Sequence, residues 1–245
     1  MTDHSPKLPE ALLRAVAADM EPVRPAPGPL KLALRMSALA LVVSPIVILA
    51  VGLRPDAERL GPVLTWIASA AQFGLATAVI WIAARESTPS RRLPRRVIDC
   101  ALAGALILVV LITILTFRAS PENEAPSLSR MRVIETLIPP NISDLVMALA
   151  CAAGSTIAGG VLVLLFGRLF RDSLANRPAL AGLLYGFGAG LAINAAWRIA
   201  CPISTPLHVL GAHGLAILGT ALLGALLGRL MGRKGSSARA SATRK

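Results

Sequence analysis

Six stretches of this chain run for about 18 residues or more without Asp, Glu, Lys or Arg: Met36 to Leu53, Leu60 to Ala84, Cys100 to Phe117, Leu145 to Gly167, Pro178 to Trp197 and Leu207 to Gly228. A bilayer's hydrocarbon layer, about 30 Å thick, takes roughly 20 apolar residues at a helical rise of about 1.5 Å each. Each stretch is therefore long enough to span. One such run would also suit the buried helix of a soluble core, but six leave too few polar residues to build a soluble protein's outside. The pattern predicts an all-α polytopic membrane protein. Its bundle of six transmembrane helices covers about 36–53, 60–84, 97–117, 144–167, 178–200 and 207–230.

Composition agrees with that pattern. Of 245 residues, 55% are hydrophobic and 16% charged, with a mean hydropathy of +0.67, outside the usage of soluble domains. The first apolar run follows a polar, Pro-rich segment of about 30 residues, so helix one reads as an anchor and not as a cleavable signal. Three regions follow: a cytoplasmic N-terminal segment (1–31), the transmembrane domain (32–231) and a basic tail (232–245) that reads as disordered.

Charge sets the orientation, because basic residues in short loops stay in the cytoplasm. Nineteen of the 25 Lys and Arg residues fall on one side: the N-terminal segment, the loops between helices two and three and between four and five, and the tail. Arg54, Arg59, Arg118, Arg130, Arg132 and Arg198 fall on the other, so both termini are expected in the cytoplasm. The net charge of +12 is thereby a matter of topology and of attraction to anionic lipid in the bilayer. It is spread over four segments without aromatic interleaving or a DNA-binding motif, which points away from direct nucleic-acid contact. Self-association is left open.

The N-terminal segment has one helical candidate, Leu8 to Met20, since Pro22, Pro25, Pro27 and Pro29 bar its continuation. Leu8, Leu12, Val16 and Met20, flanked by Leu13 and Ala17, recur at helical spacing, with Glu10 and Arg14 on the other face. So short an amphipathic helix is marginal alone and needs a membrane surface or a partner's groove. In the bundle, Gly182, Gly186 and Gly190 in helix five and Gly224 and Gly228 in helix six read first as close helix packing. A small-solute transporter or channel with a glycine-lined pore is the alternative.

Motifs of hydrolases, P-loop enzymes, zinc proteases and dithiol oxidoreductases are all missing, so an enzyme is not expected. The intramembrane polar groups are few: Gln72 near the midplane, Asn194, and Asp99, Asp144 and Arg198 near helix ends, where interface anchoring or pairing accounts for them. Three cysteines take depths from the topology. Cys100 lies toward the cytoplasm, Cys151 about 10 Å below the outer surface, and Cys201 at the outer end of helix five. His208 and His213 share that outer level, so a soft-metal site there would have two thiols and up to two imidazoles. Against it, Cys is also simply a small membrane-compatible residue. At helical geometry, moreover, two histidines five apart stand about 140° apart around the axis. No resident cofactor is expected beyond transient binding of a soft metal ion.

Several features together resemble the NrsF-like family of bacterial membrane anti-sigma factors. Leu8 to Arg24, with Leu12, Asp19, Pro22, Val23 and Arg24, is similar to the family's leader, a Leu-containing helix ending in an Asp-x-x-Pro-Val-Arg-like element. Arg168 to Arg171, then Arg177-Pro178-Ala179-Leu180-Ala181-Gly182 and its glycine series, look like the family's loop and fifth helix. Cys201 with Ser204-Thr205-Pro206, His213-Gly214 and Gly224 to Arg229 resembles its last third, and Cys151 stands where the first of its two characteristic cysteines is expected. The Ala-rich first half, the long loop Ala119 to Ser143 and the extra Cys100 depart from it.

The resemblance implies a six-helix protein of the bacterial inner membrane with no enzymatic activity. It implies an extracytoplasmic-function sigma factor as partner, gripped by Leu8, Leu12, Leu13, Val16, Asp19, Met20, Pro22, Val23 and Arg24. A redox or heavy-metal signal received at Cys151 and Cys201 would then be relayed to that leader.

Overall fold

A computed structural model of the chain describes residues 9–12, 14, 27–88, 93–119, 144–170 and 177–242. Every regular element among them is helical. α1 is Pro29–Val51, α2 the span Ala57–Glu86, α3 Arg95–Ala119, α4 Asp144–Phe170 and α5 Pro178–Ala200. α6 joins Pro206–His208, a π turn at Val209–His213 and Gly214–Ala242. Among the described residues, six helices are long and apolar enough to cross a membrane.

Each expected span has its helix: α5 has the expected bounds, α1 starts earlier and ends two residues sooner, and the others are longer at one end or both. α1 begins at Pro29, seven residues before the charge-free run, because proline suits the first helical turn and Lys31 and Arg35 are ordinary helix formers. The boundary placed at residue 31 therefore falls inside a helix. Its other end is Gly52, whose φ of 98° takes the chain out of the helix. α2 is interrupted at Gly61 (φ 71°) and continues through a π turn, Val63–Ile67. At the far end α6 runs on to Ala242, where a disordered tail was expected; once a long helix is nucleated, an Ala-, Ser- and Arg-rich segment without proline propagates it.

α5 is the axis of the bundle. It is buried along most of its length, with α1, α2, α4 and α6 packed around it and α3 lying outside against α2. Its polar neighbours serve that packing: Gln72 Nε2 of α2 donates to the Leu191 carbonyl of α5 (3.2 Å), which accounts for the amide found near the midplane. Tyr185 Oη is hydrogen-bonded to Ser87 Oγ, just past the end of α2, at 3.1 Å, and its ring stacks on Phe170 of α4 with centroids 4.9 Å apart.

The glycines of α5 and α6 form a seam in which backbone meets backbone. A Cβ on Gly182 would collide with the carbonyl of Gly224, one on Gly224 with that of Gly182, and one on Gly228 with that of Pro178. Between helices in lipid, contact of this kind replaces the hydrophobic drive available in water. These glycines therefore hold two helices together and line no passage, which removes the observation on which a pore rested. Gly224→Val should lower the stability of the purified protein by about 1–3 kcal/mol, the usual cost of overpacking. Gly104→Ala, where an added Cβ meets nothing within 4 Å, should leave the melting temperature unchanged.

Candidate functional site

At one end of the bundle α5 stops at Ala200, and Cys201-Pro202-Ile203-Ser204-Thr205 carries the chain into α6 without helical structure. Pro202 has no N–H to continue a helix, and Pro206 opens the next one. The segment does not lie on the surface: Cys201, Pro202 and Ser204 are all buried. Buried carbonyls need donors, and Arg54, from the connection between α1 and α2, supplies them. Its Nη1 donates to the Arg198 carbonyl (3.2 Å), and its Nη2 to the Pro202 carbonyl (3.4 Å) and to Ser204 Oγ (2.8 Å). Asp56 holds the guanidinium in a bidentate pair, 2.7 Å from Nε and 2.8 Å from Nη2. The backbone N–H of Arg54 donates to Ile199 O as well.

That inward-folded turn brings Cys201 to the depth of Cys151 on α4. The thiols of Cys151 and Cys201 and one ring nitrogen each of His208 and His213 all lie within 4.8 Å of one another, and all four residues are buried. Cys201 Sγ is 3.5 Å from His208 Nε2. The two imidazoles meet edge to face, centroids 5.3 Å apart, and Trp197 packs on His213 at 6.0 Å.

The angle of about 140° expected between the histidines does not hold, and the π turn is the reason. A turn closed by i→i+5 hydrogen bonds, here from the Gly214 N–H to the Val209 carbonyl, takes in an extra residue. A side chain then lies over its fifth neighbour, as His213 does over His208.

Two thiols and two imidazoles are a donor set for zinc-like and softer ions. Metal–ligand bonds of about 2.0–2.3 Å place the ligand atoms of a tetrahedral site roughly 3.3–3.8 Å apart, so the four close around an ion by movements of about 1 Å. The same two sulfurs are candidates for a disulfide, a use that excludes the first. Cys100, by contrast, is exposed on α3 and stands apart from the cluster.

Arg198 is not an interface anchor. It is buried against α2 and α3, where Nη2 donates to Leu64 O (3.2 Å) and Thr116 Oγ1 (3.0 Å). Sequence reasoning missed Arg54 altogether, counting it only as a charge. The signal available was an Arg-x-Asp pair just beyond a helix end, on the side that should be poor in basic residues.

Of the leader, Glu10–Leu12 and Arg14 are helical, Leu12 is exposed, and Arg14 pairs with Glu10 at 3.0 Å. Leu8, Leu13, Val16, Asp19, Met20, Pro22, Val23 and Arg24 lie outside the described residues.

Fold and site together define a helical bundle with six candidate membrane spans and a buried dithiol–diimidazole cluster at one end. The family described as negative regulator of sigma F (NrsF) matches residues 16–233, most of the chain, and the protein belongs to it. Membership makes it a negative regulator of a sigma factor. No curated protein and no solved structure matches the chain.

Arg54→Met should uncap the turn, destabilise the protein by about 2–3 kcal/mol and open Cys201 to a membrane-impermeant maleimide. In the unaltered chain only Cys100 should label rapidly, a contrast that mass spectrometry of the labelled peptides resolves.

Proposed function

We propose that this protein holds an extracytoplasmic-function sigma factor inactive at the bacterial inner membrane and releases it when the Cys151–Cys201 site is oxidised or metallated. The leader from Leu8 to Arg24 grips the partner in the cytoplasm, where both termini lie, and no catalysis is involved. The observation that carries this reading is the convergence of two thiols and two imidazoles within 4.8 Å at the end of the bundle, in a member of a sigma-regulating family. The leader's apolar stripe, with Leu12 exposed, supports its part.

In the oxidised state the two thiols lose two protons and two electrons to an oxidant such as a peroxide, and the sulfurs join. In the metallated state a soft divalent ion takes both thiolates, with His208 and His213 as further ligands. Either draws α4 toward α5. Because the glycine seam fixes α5 to α6, that pair moves as one against α4, in a two-state shift that ligand biases. α1, which packs on both α4 and α5, carries the change to the leader that precedes it.

Changing Leu12 and Val16 together to Ala should free the partner in a pull-down by at least about tenfold, the loss of two buried apolar anchors; undiminished binding would sink the mapping. Reporter fusions at Ser90 and Lys245 should both report cytoplasm. The purified chain should bind one Cd²⁺, seen as thiolate charge-transfer absorption, and Cys151→Ser should abolish that band.

A further inference from the structure

At the end of the bundle away from the cysteines, a groove runs between the start of α1 and the end of α2, lined from Leu30 to Ser37 on one side and from Gly74 to Trp81 on the other. Each side extends about 10 Å at helical rise. Ala33, Ser37 and Ala78 are too small to close the space between the two helices, and a Cβ added to Gly74 would meet nothing within 4 Å. The groove's surface is almost all carbon, and Leu30, Leu34, Ala78 and Trp81 are exposed along it. One turn beyond Trp81, where the groove ends, stands Arg85. Its guanidinium lies over the Trp81 ring, with Cζ 5.0 Å from the centroid, a cation–π contact that holds the charge beside a groove-lining side chain. No carboxylate among the described residues pairs with it, since the neighbouring Glu86 accepts the Leu93 N–H at 2.9 Å. Lys31, in the first turn of α1, is likewise exposed and without a carboxylate among the described residues.

We propose that this groove binds one anionic phospholipid, with an acyl chain along Leu30, Leu34 and Trp81 and the phosphate at Arg85. Its form matches such a lipid, apolar along its length and cationic at one end. Charge decides among the occupants. A second copy of the chain in the same bilayer would bring its own basic end, Lys31, Arg95 and Arg177 included, to this level and be repelled. The leader would carry Glu10 and Arg14 below the headgroups, at a cost that a lipid tail does not meet. A zwitterionic lipid fits the groove but brings an ammonium group with its phosphate, so the unpaired Arg85 favours the anionic class. The site presumes that the six helices lie in a bilayer, as proposed above, and is independent of the sigma factor.

The test places the full chain in phosphatidylcholine vesicles, with Trp66 and Trp197 changed to Phe so that Trp81 alone reports. Phosphatidylglycerol with brominated acyl chains, added as a minor component, should quench Trp81 saturably and with roughly fivefold higher apparent affinity than brominated phosphatidylcholine, the worth of one cation near a membrane surface. Arg85→Gln should bring the two lipids level, and Arg85→Lys should restore most of the difference. Gly74→Leu, which fills the groove, should lower the quenching by phosphatidylglycerol. Equal quenching by the two lipids before any change at Arg85, or a preference that Arg85→Gln leaves intact, overturns the site. Trp81 shielded from both lipids means that protein covers the groove, a second copy or the leader, and overturns it too. The unaltered chain gives an independent readout: native mass spectrometry after extraction from equal parts of the two lipids should show phosphatidylglycerol retained, and Arg85→Gln should lose it. A chain that does not stay with the vesicles contradicts the membrane reading itself, and with it the proposed function.

Discussion

The arrangement at the cysteine end of the bundle depends on one side chain meeting the hydrogen-bonding demand of a short run of backbone. Non-helical peptide groups at membrane depth survive only where protein partners satisfy them. Between α5 and α6 five residues leave the helix, and Arg54 caps the last turn of α5 and the buried turn beyond it with three donated hydrogen bonds. Asp56 returns the charge and fixes the guanidinium plane. Because the turn is held inward, Cys201 faces Cys151, lying well below the helix end, and does not stand above it. Because α6 then restarts at Pro206 inside the bundle, His208 and His213 begin at the same level.

From that end to the other runs α5, the helix against which α1, α2, α4 and α6 all pack. It spans 23 residues, about 34 Å at helical rise. Along the α6 face it has backbone-to-backbone contact, which leaves no slack. On the α4 face its contacts are side chains, Trp197 against Gly154 at one end and Tyr185 against Phe166 and Phe170 at the other. Side-chain packing can adopt a second arrangement more readily than a glycine seam can. Under the proposed function, a pull between Cys151 and Cys201 would act across this side-chain interface, whose other end is the aromatic cluster beside Ser87.

The helices were legible because lipid imposes a crude requirement, length without charge, that any sequence must display openly. Gly182, Gly186 and Gly190 were equally plain, since a four-residue glycine period has few uses other than close packing. What escaped was local. A π turn leaves no mark in residue type, so His208 and His213 were set on opposite faces by a periodicity that fails over those five residues. An inward fold at Pro202 was one of two ways, helix tilt being the other, for Cys201 to reach Cys151; what holds that fold is Arg54, almost 150 positions away, which could not be read from the turn's own sequence. Arg198 at a helix end looked like an anchor because charge at an interface is the commoner arrangement; its burial follows from tertiary packing. The segment after Gly232 reads as disordered on composition alone, a reading that leaves out the long helix that feeds into it and runs to Ala242.

The central claim is that the buried thiol cluster controls the hold on the sigma factor. Its most direct measurement is dissociation of the cognate sigma factor from the full-length protein in nanodiscs, before and after one equivalent of Cd²⁺ or of a disulfide-forming oxidant. Faster dissociation from the unaltered protein, with no acceleration from a Cys151→Ser, Cys201→Ser variant that still binds the partner, is the predicted result. Dissociation indifferent to both treatments in the unaltered protein, or equally accelerated in the variant, would contradict it.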